Sequence, residues 1–146
     1  KARVSVKLRR SGRMSSEERS TGNNESSAYF FDTYALVEIY ESSPPYADYV
    51  EAAFFTTMLN LFEFHQYLLK VVSESVADED VAKLLPHVTN FSLEVVKGAS
   101  KFRKQHKGKN LSMTDCIGYI FAKEKGLVFL TGDGMFEGLE NVEFVK

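Results

Sequence analysis

Leu127-Val128-Phe129-Leu130-Thr131-Gly132-Asp133-Gly134 reads as a short buried strand that delivers a carboxylate into a turn. The apolar run is too short for a helix and is rich in β-formers. An earlier stretch, Ala28-Tyr29-Phe30-Phe31-Asp32, repeats the pattern, and a helical sequence, Thr33 to Tyr40, follows it directly. In an open parallel sheet the carboxyl ends of neighbouring strands share one rim, where ligands bind. Asp32 and Asp133 stand at two such ends, and Glu63 and Asp115 fall on helices that follow strands or turns. Acids gathered on one rim repel each other, so the pocket they form needs cations or raised pKa values.

Outward from these strands, helical and extended stretches alternate. Ser42-Ser43-Pro44-Pro45 ends the first helix, because proline cannot supply the amide a helix needs, and a second short helix is expected near 46–52. Phe54-Phe55-Thr56-Thr57-Met58 is the next strand expected. Asn60 is expected to cap a long helix over 61–75, where Leu61, Phe64, Leu68 and Val72 recur at helical spacing. Asp78-Glu79-Asp80 opens another helix with acids in its first turn, and Pro86 ends or kinks it. A weak strand is expected within Thr89 to Val95, then a basic helix over 96–106 and a turn at Lys107-Gly108-Lys109-Asn110. Ser112 or Thr114 opens a helix that runs to Lys125 and stops at Gly126, and Val142-Glu143-Phe144-Val145 makes an edge strand. This alternation predicts an α/β fold of three layers, with a mainly parallel sheet of about five strands between helices.

The 146 residues suffice for one domain, and no apolar run is long enough for a membrane span. One cysteine, Cys116, excludes an internal disulfide framework and fits a reducing cytoplasm; no secretory signal pattern opens the chain. The net charge of −2 conceals an asymmetry. Residues 1–13 carry six basic residues and no acid, and 11–27 is rich in Ser, Gly, Asn and Glu. Residues 1–27 are therefore expected to be a flexible basic and polar tail, and 28–146 the folded domain. A second basic stretch, with Lys97, Lys101, Arg103, Lys104, Lys107 and Lys109 and no acid between them, lies in 97–109. These six are candidate RNA-backbone contacts or, equally, a solvated helix face.

The motif elements are Phe31-Asp32-Thr33-Tyr34-Ala35-Leu36, Thr57-Met58-Leu59-Asn60-Leu61-Phe62-Glu63, Thr114-Asp115-Cys116-Ile117-Gly118-Tyr119-Ile120 and Thr131-Gly132-Asp133-Gly134-Met135-Phe136. In this order and spacing they resemble the PIN domain, and within it the VapC-like toxin ribonucleases of toxin–antitoxin pairs, over essentially all of 28–146. The resemblance implies a five-stranded parallel sheet, a divalent-metal-dependent ribonuclease activity, an RNA substrate, frequent homodimers and an antitoxin protein as partner. The family's first, third and fourth acids map onto Asp32, Asp115 and Asp133, and its second onto Glu63.

Oxygen-only ligands suit Mg²⁺ or Mn²⁺, and the His and Cys spacing of a zinc site is absent from the sequence. Asp32 and Asp115 are expected as the leading ligands, with Asp133 and Glu63 completing the site, and all four are the candidate catalytic residues. Thr33 and Thr131 neighbour the acids and are candidates to orient them. Taken singly, the acids have simpler readings: Asp32 as a helix N-cap, Asp133 as a turn residue, Asp115 as a partner of a helix dipole. Glu63, between Phe62 and Phe64, is harder to explain without a partner. Glu38 is expected to face solvent or to stand behind the ligands. Most aromatics are expected in the core, with Tyr34, Tyr40 and Tyr46, near the first acid, candidates for base stacking or a dimer interface. His65, His87 and His106 share no ligand spacing, and Cys116 is expected to be a small buried residue. The rival functions are an RNA-processing nuclease without an antitoxin and a catalytically silent PIN-like binding module.

Overall fold

A computed structural model describes residues 27–146, so the tail expected over 1–27 falls almost wholly outside the described residues. Four strands, β1 (Tyr29–Phe31), β2 (Phe54–Phe55), β3 (Val128–Thr131) and β4 (Val142–Phe144), form one sheet in the order β2-β1-β3-β4. Every pairing is parallel, with Phe30 opposite Phe55 and Phe129, and Leu130 opposite Glu143. Helices α1 (Thr33–Tyr40), α2 (Met58–Val71), α3 (Glu74–Ala82), α4 (Leu93–Gln105) and α5 (Met113–Lys125) cover the sheet.

Side chains alternate across a strand, and here the alternation separates two cores. Phe30 and Phe129 point to one face, where they join Val95, Phe102, Ile117 and Phe121 of α4 and α5. Phe31 and Leu130 point to the other and join Leu36, Leu61, Phe64, Leu68 and Ala77 of α1, α2 and α3. Stacked rings seal both sides: Phe30 on Phe129 at 5.7 Å between centroids, Phe31 on Phe54 at 4.2 Å. The three-layer α/β/α architecture read from the sequence is present.

Four strands stand where five were expected. The segment after Pro86 contributes only a parallel bridge, Val88 to Thr56, because Ser92 then takes up the N-cap of α4, its Oγ accepting from the Val95 N–H. A reciprocal box also moves the start of α2 forward. Thr57 accepts from the Asn60 N–H and Asn60 Oδ1 from the Thr57 N–H, so Thr57 is the cap and Asn60 the third helical residue. The long helix expected over 61–75 breaks at Val72, which is extended, and α3 begins at Glu74, not near Asp78. In place of a helix over 46–52 there is a 3₁₀ turn, Pro44–Tyr49, begun by the prolines.

From β1 the chain crosses to β2 on one side, and β3 later docks on the other. The strand order therefore reverses between β1 and β3, and ligands bind at such a switch point. Asp32 follows β1 and Asp133 follows β3, so both acids stand at it.

Candidate active site

Asp32, Glu63, Asp115 and Asp133 line one cleft of about 250 Å³, together with Thr33, Tyr34, Val37 and Glu38. The four acids come from the end of β1, the second turn of α2, the first turn of α5 and the loop after β3. The fold holds one oxygen of each by a hydrogen bond. Thr131 Oγ1 donates to Asp32 Oδ2 at 2.8 Å and Thr33 Oγ1 to Glu63 Oε2 at 2.9 Å. The Ser112 N–H donates to Asp115 Oδ2 at 2.7 Å, and the Met135 N–H to Asp133 Oδ1 at 2.9 Å. A carboxylate so held loses rotational freedom before any ligand arrives, which is what a preorganised site requires.

The two threonines are themselves held. Thr33 Oγ1 accepts from Asn60 Nδ2 at 3.1 Å, and Thr131 Oγ1 from the Asp133 N–H at 3.1 Å. Two relays result: Asn60 to Thr33 to Glu63, and Asp133 to Thr131 to Asp32. Each threonine thus donates to an acid distant in sequence, Thr33 to Glu63 and Thr131 to Asp32. Asn60, wholly buried, was read only as a helix cap; its side-chain amide is the unforeseen member.

The simpler readings of the acids divide. Asp115 forms a capping box with Ser112, and Asp133 accepts from an amide of its own turn, so both also serve local structure. Asp32 occupies the N-cap position of α1 yet makes no side-chain capping bond, turning instead to Thr131, 99 residues away. Capping does not account for it.

Asp32 is 3% exposed, and among the described residues no Lys, Arg or His is paired with any of the four acids. Burial, then the charges of Asp115 and, more weakly, Glu63, push the Asp32 carboxyl up to about 7, against the Thr131 hydroxyl bond and the nearby backbone N–H of Thr33. Burial also raises Asp115, where the Ser112 bonds oppose the shift and the charges of Glu63 and Asp133 add to it. Among the described residues, no three His, Cys, Asp or Glu side chains meet in finished metal-ligand geometry. The donor set nevertheless fits a hard divalent cation: carboxylate oxygens alone, mutually repelling, around one open cleft.

Glu38 also lines this cleft. The signal was present in the sequence, since Tyr34, Val37 and Glu38 fall on one helical face at i, i+3 and i+4. Tyr34 lies over Gly132, where an added Cβ would sit 2.3 Å from the ring and 2.5 Å from the Val145 carbonyl; only glycine lets the loop that carries Asp133 pass there. Tyr46 is 1% exposed and donates to the Val145 carbonyl at 2.7 Å, which makes it a core residue and removes it from base stacking or a dimer surface. Tyr40 is half-buried and donates to Asp80. Cys116 is buried as expected.

None of the six basic residues of 97–109 lines the cleft. Lys97 pairs with Glu94 on its own helix, Arg103 Nε donates to the Leu111 carbonyl at 3.1 Å and Lys109 Nζ to the Met135 carbonyl at 2.6 Å. Lys101, Lys104 and Lys107 are exposed. His87 stacks on Phe54, His106 packs on Phe102 and His65 meets Asp78, so the histidines stay outside the site.

No family model matches the sequence, and no curated protein does. Solved structures do. The chain is similar to a toxin–antitoxin complex from Klebsiella pneumoniae, with a TM-score of 0.63 at 18% identity, covering 79% of this chain and 95% of that one. It is similar to VapBC2 from Rickettsia felis bound to a promoter DNA fragment, with a TM-score of 0.63 at 14% identity over 82% and 99%. It is also similar to VapC20 of Mycobacterium tuberculosis, a sarcin–ricin-loop-cleaving toxin, with a TM-score of 0.61 at 18% identity over 82% and 100%. At these identities the likeness establishes the fold alone, and the fold is PIN-like.

Proposed function

We propose that this chain is a divalent-metal-dependent endoribonuclease of the PIN type and the toxin of a toxin–antitoxin pair. The observation that carries the reading is the convergence, at the switch point between β1 and β3, of four held carboxylates that no cation among the described residues pairs with. A folded protein tolerates such a cluster at a cost, and the cost is offset when a cation binds. The RNA substrate and the antitoxin are carried over from the similar structures, one of them an RNA-cleaving toxin and two of them toxin–antitoxin assemblies.

Asp32 and Asp115 would hold Mg²⁺ or Mn²⁺, with Asp133 and Glu63 completing the set. When bound, such an ion lowers the pKa of water and neutralises charge on the phosphoryl oxygens. The chain's own contribution is orientation. Thr131, Thr33, Asn60 and Ser112 fix the carboxylates, the ring of Tyr34 lines the cleft, and Glu38 adds a further carboxylate to its lining. The test is incubation of a total-RNA pool with Mg²⁺, Mn²⁺ or EDTA. Metal-dependent cleavage is expected, and binding of RNA without cleavage under all three would favour the silent-module rival.

Metal should also stabilise the free protein, because the assembled site binds it and the unfolded chain does not. At ~100 times the dissociation constant the gain is about 2.7 kcal/mol. A thermal melt with millimolar Mn²⁺ and no RNA reads it; an unmoved midpoint at every concentration counts against a metal site in the folded chain.

A protein partner has a surface to cover. Met58, Phe62 and Leu69 are 57%, 65% and 46% exposed, and their spacing places them on one face of α2. This stripe supports an antitoxin or a second copy as its occupant. For the homodimer, sedimentation equilibrium decides: the expected mass is twice 16.5 kDa, and 16.5 kDa at all micromolar concentrations would remove it.

A further inference from the structure

We propose that Lys109 is a positioning residue of the acid cleft, holding the turn that carries Asp133, and not a contact to the RNA backbone. The inference rests on the nuclease reading and assigns one residue within it.

Lys109 is half-buried, and its backbone is fixed on both sides: its N–H donates to the His106 carbonyl at 2.9 Å, and its carbonyl accepts from the Leu111 N–H at 2.9 Å. Its ammonium donates to the Met135 carbonyl at 2.6 Å. A hydrogen bond with an ionised donor is shorter and stronger than a neutral one, so this ammonium is committed. Met135 is the residue whose N–H holds Asp133 Oδ1, and the Asp133 N–H in turn holds Thr131, which holds Asp32. Phe136, wholly buried, pins the same 3₁₀ turn, Gly134–Phe136, from the core side. Lys109 pins it from outside. The turn that orients Asp133 is thereby gripped at the Met135 carbonyl and, one residue on, at the Phe136 ring.

Arg103 repeats the arrangement at the neighbouring acid. Its Nε donates to the carbonyl of Leu111, a buried residue, and the next residue, Ser112, holds Asp115. The basic stretch therefore divides: half-buried Lys109 and exposed Arg103 each donate to a carbonyl of a loop that carries an acid, while Lys101, Lys104 and Lys107 face solvent.

The two roles separate by experiment. The variant is Lys109→Met, with Mn²⁺ affinity measured by calorimetry on RNA-free protein and cleavage of a labelled single-stranded oligoribonucleotide measured alongside. A residue that orients metal-binding groups costs about tenfold or more in metal affinity when removed. The expected result is an Mn²⁺ dissociation constant raised about tenfold, a matching fall in kcat at saturating RNA, and an unchanged slope of RNA affinity against salt in EDTA. A phosphate contact would give the reverse: unchanged Mn²⁺ affinity and a salt slope shallower by about one. That result overturns the proposal, as does a variant identical to wild type. Should Lys109→Met fail to fold, Lys109→Gln, which keeps a neutral donor, is read instead: a smaller but measurable loss of Mn²⁺ affinity supports the proposal, and none overturns it. Wild-type protein that neither binds Mn²⁺ nor cleaves RNA would strike the nuclease reading itself, before either variant is compared.

Discussion

Asp32→Asn is expected to abolish metal-dependent RNA cleavage, with a loss of at least about a thousandfold, roughly 4 kcal/mol of transition-state stabilisation. Asparagine matches aspartate in shape, and its side-chain oxygen still accepts from Thr131, so the relay through Thr131 survives. What disappears is the charge at the most buried of the four acids, the leading metal ligand of the proposed function. Single-turnover cleavage of total RNA with Mn²⁺ measures the loss, and the circular-dichroism spectrum checks the fold. Wild-type cleavage by this variant would remove Asp32 from the mechanism. The structure adds a control that composition alone does not supply. Asp32 makes no capping bond to α1, so the substitution should not weaken that helix; a metal-free melting point well below wild type would restore the capping role.

Much of this site was legible because a strand that ends in an acid leaves a local pattern. Phe30-Phe31-Asp32 and Phe129-Leu130-Thr131-Gly132-Asp133 carry both the short, continuously buried run and the carboxylate in one window. The separation of Phe30 from Phe31, and of Phe129 from Leu130, into two cores follows from the alternation of side chains along a strand. Less visible was anything decided between distant segments. Thr57 takes the cap position expected of Asn60, and the reciprocal pair of bonds that decides it exists only in the folded turn. The fifth strand fell to the Val88 bridge because Ser92 capped a helix in residues whose alternation was weak from the start. Lys109 and Met135 meet across 26 residues, and no spacing in the sequence announces it. Charge runs are read as surfaces by default, and here two members of the run are tied to backbone carbonyls.

The metal-free protein should be more stable in mild acid than at neutral pH, the reverse of a protein held by ion-paired carboxylates. Asp32 has its pKa raised to about 7 in the folded state by burial and by the charge of Asp115. In the unfolded chain an aspartate titrates near 3.9. Between those values the folded state holds a proton that the unfolded state has released, so stability falls as pH rises, by about 1.4 kcal/mol per unit. Between pH 5 and 7.5 the loss from this one group is of the order of 2–3 kcal/mol, and Asp115, shifted the same way, adds to it. His87 works against this trend below its ordinary pKa, since burial lowers it and its protonation favours the unfolded chain. Asp32→Asn isolates the carboxylate: urea melts in EDTA at the two pH values should show the wild type losing those 2–3 kcal/mol relative to the variant. Parallel pH dependences in the two proteins would show that Asp32 is not strained by burial. Saturating Mn²⁺ should narrow the gap, because metal ligands must be deprotonated to bind and the ion then stabilises the form that pH 7.5 favours. Stabilisation by Mn²⁺ should therefore be larger at pH 7.5 than at pH 5, and equal stabilisation would detach the metal from the buried acid.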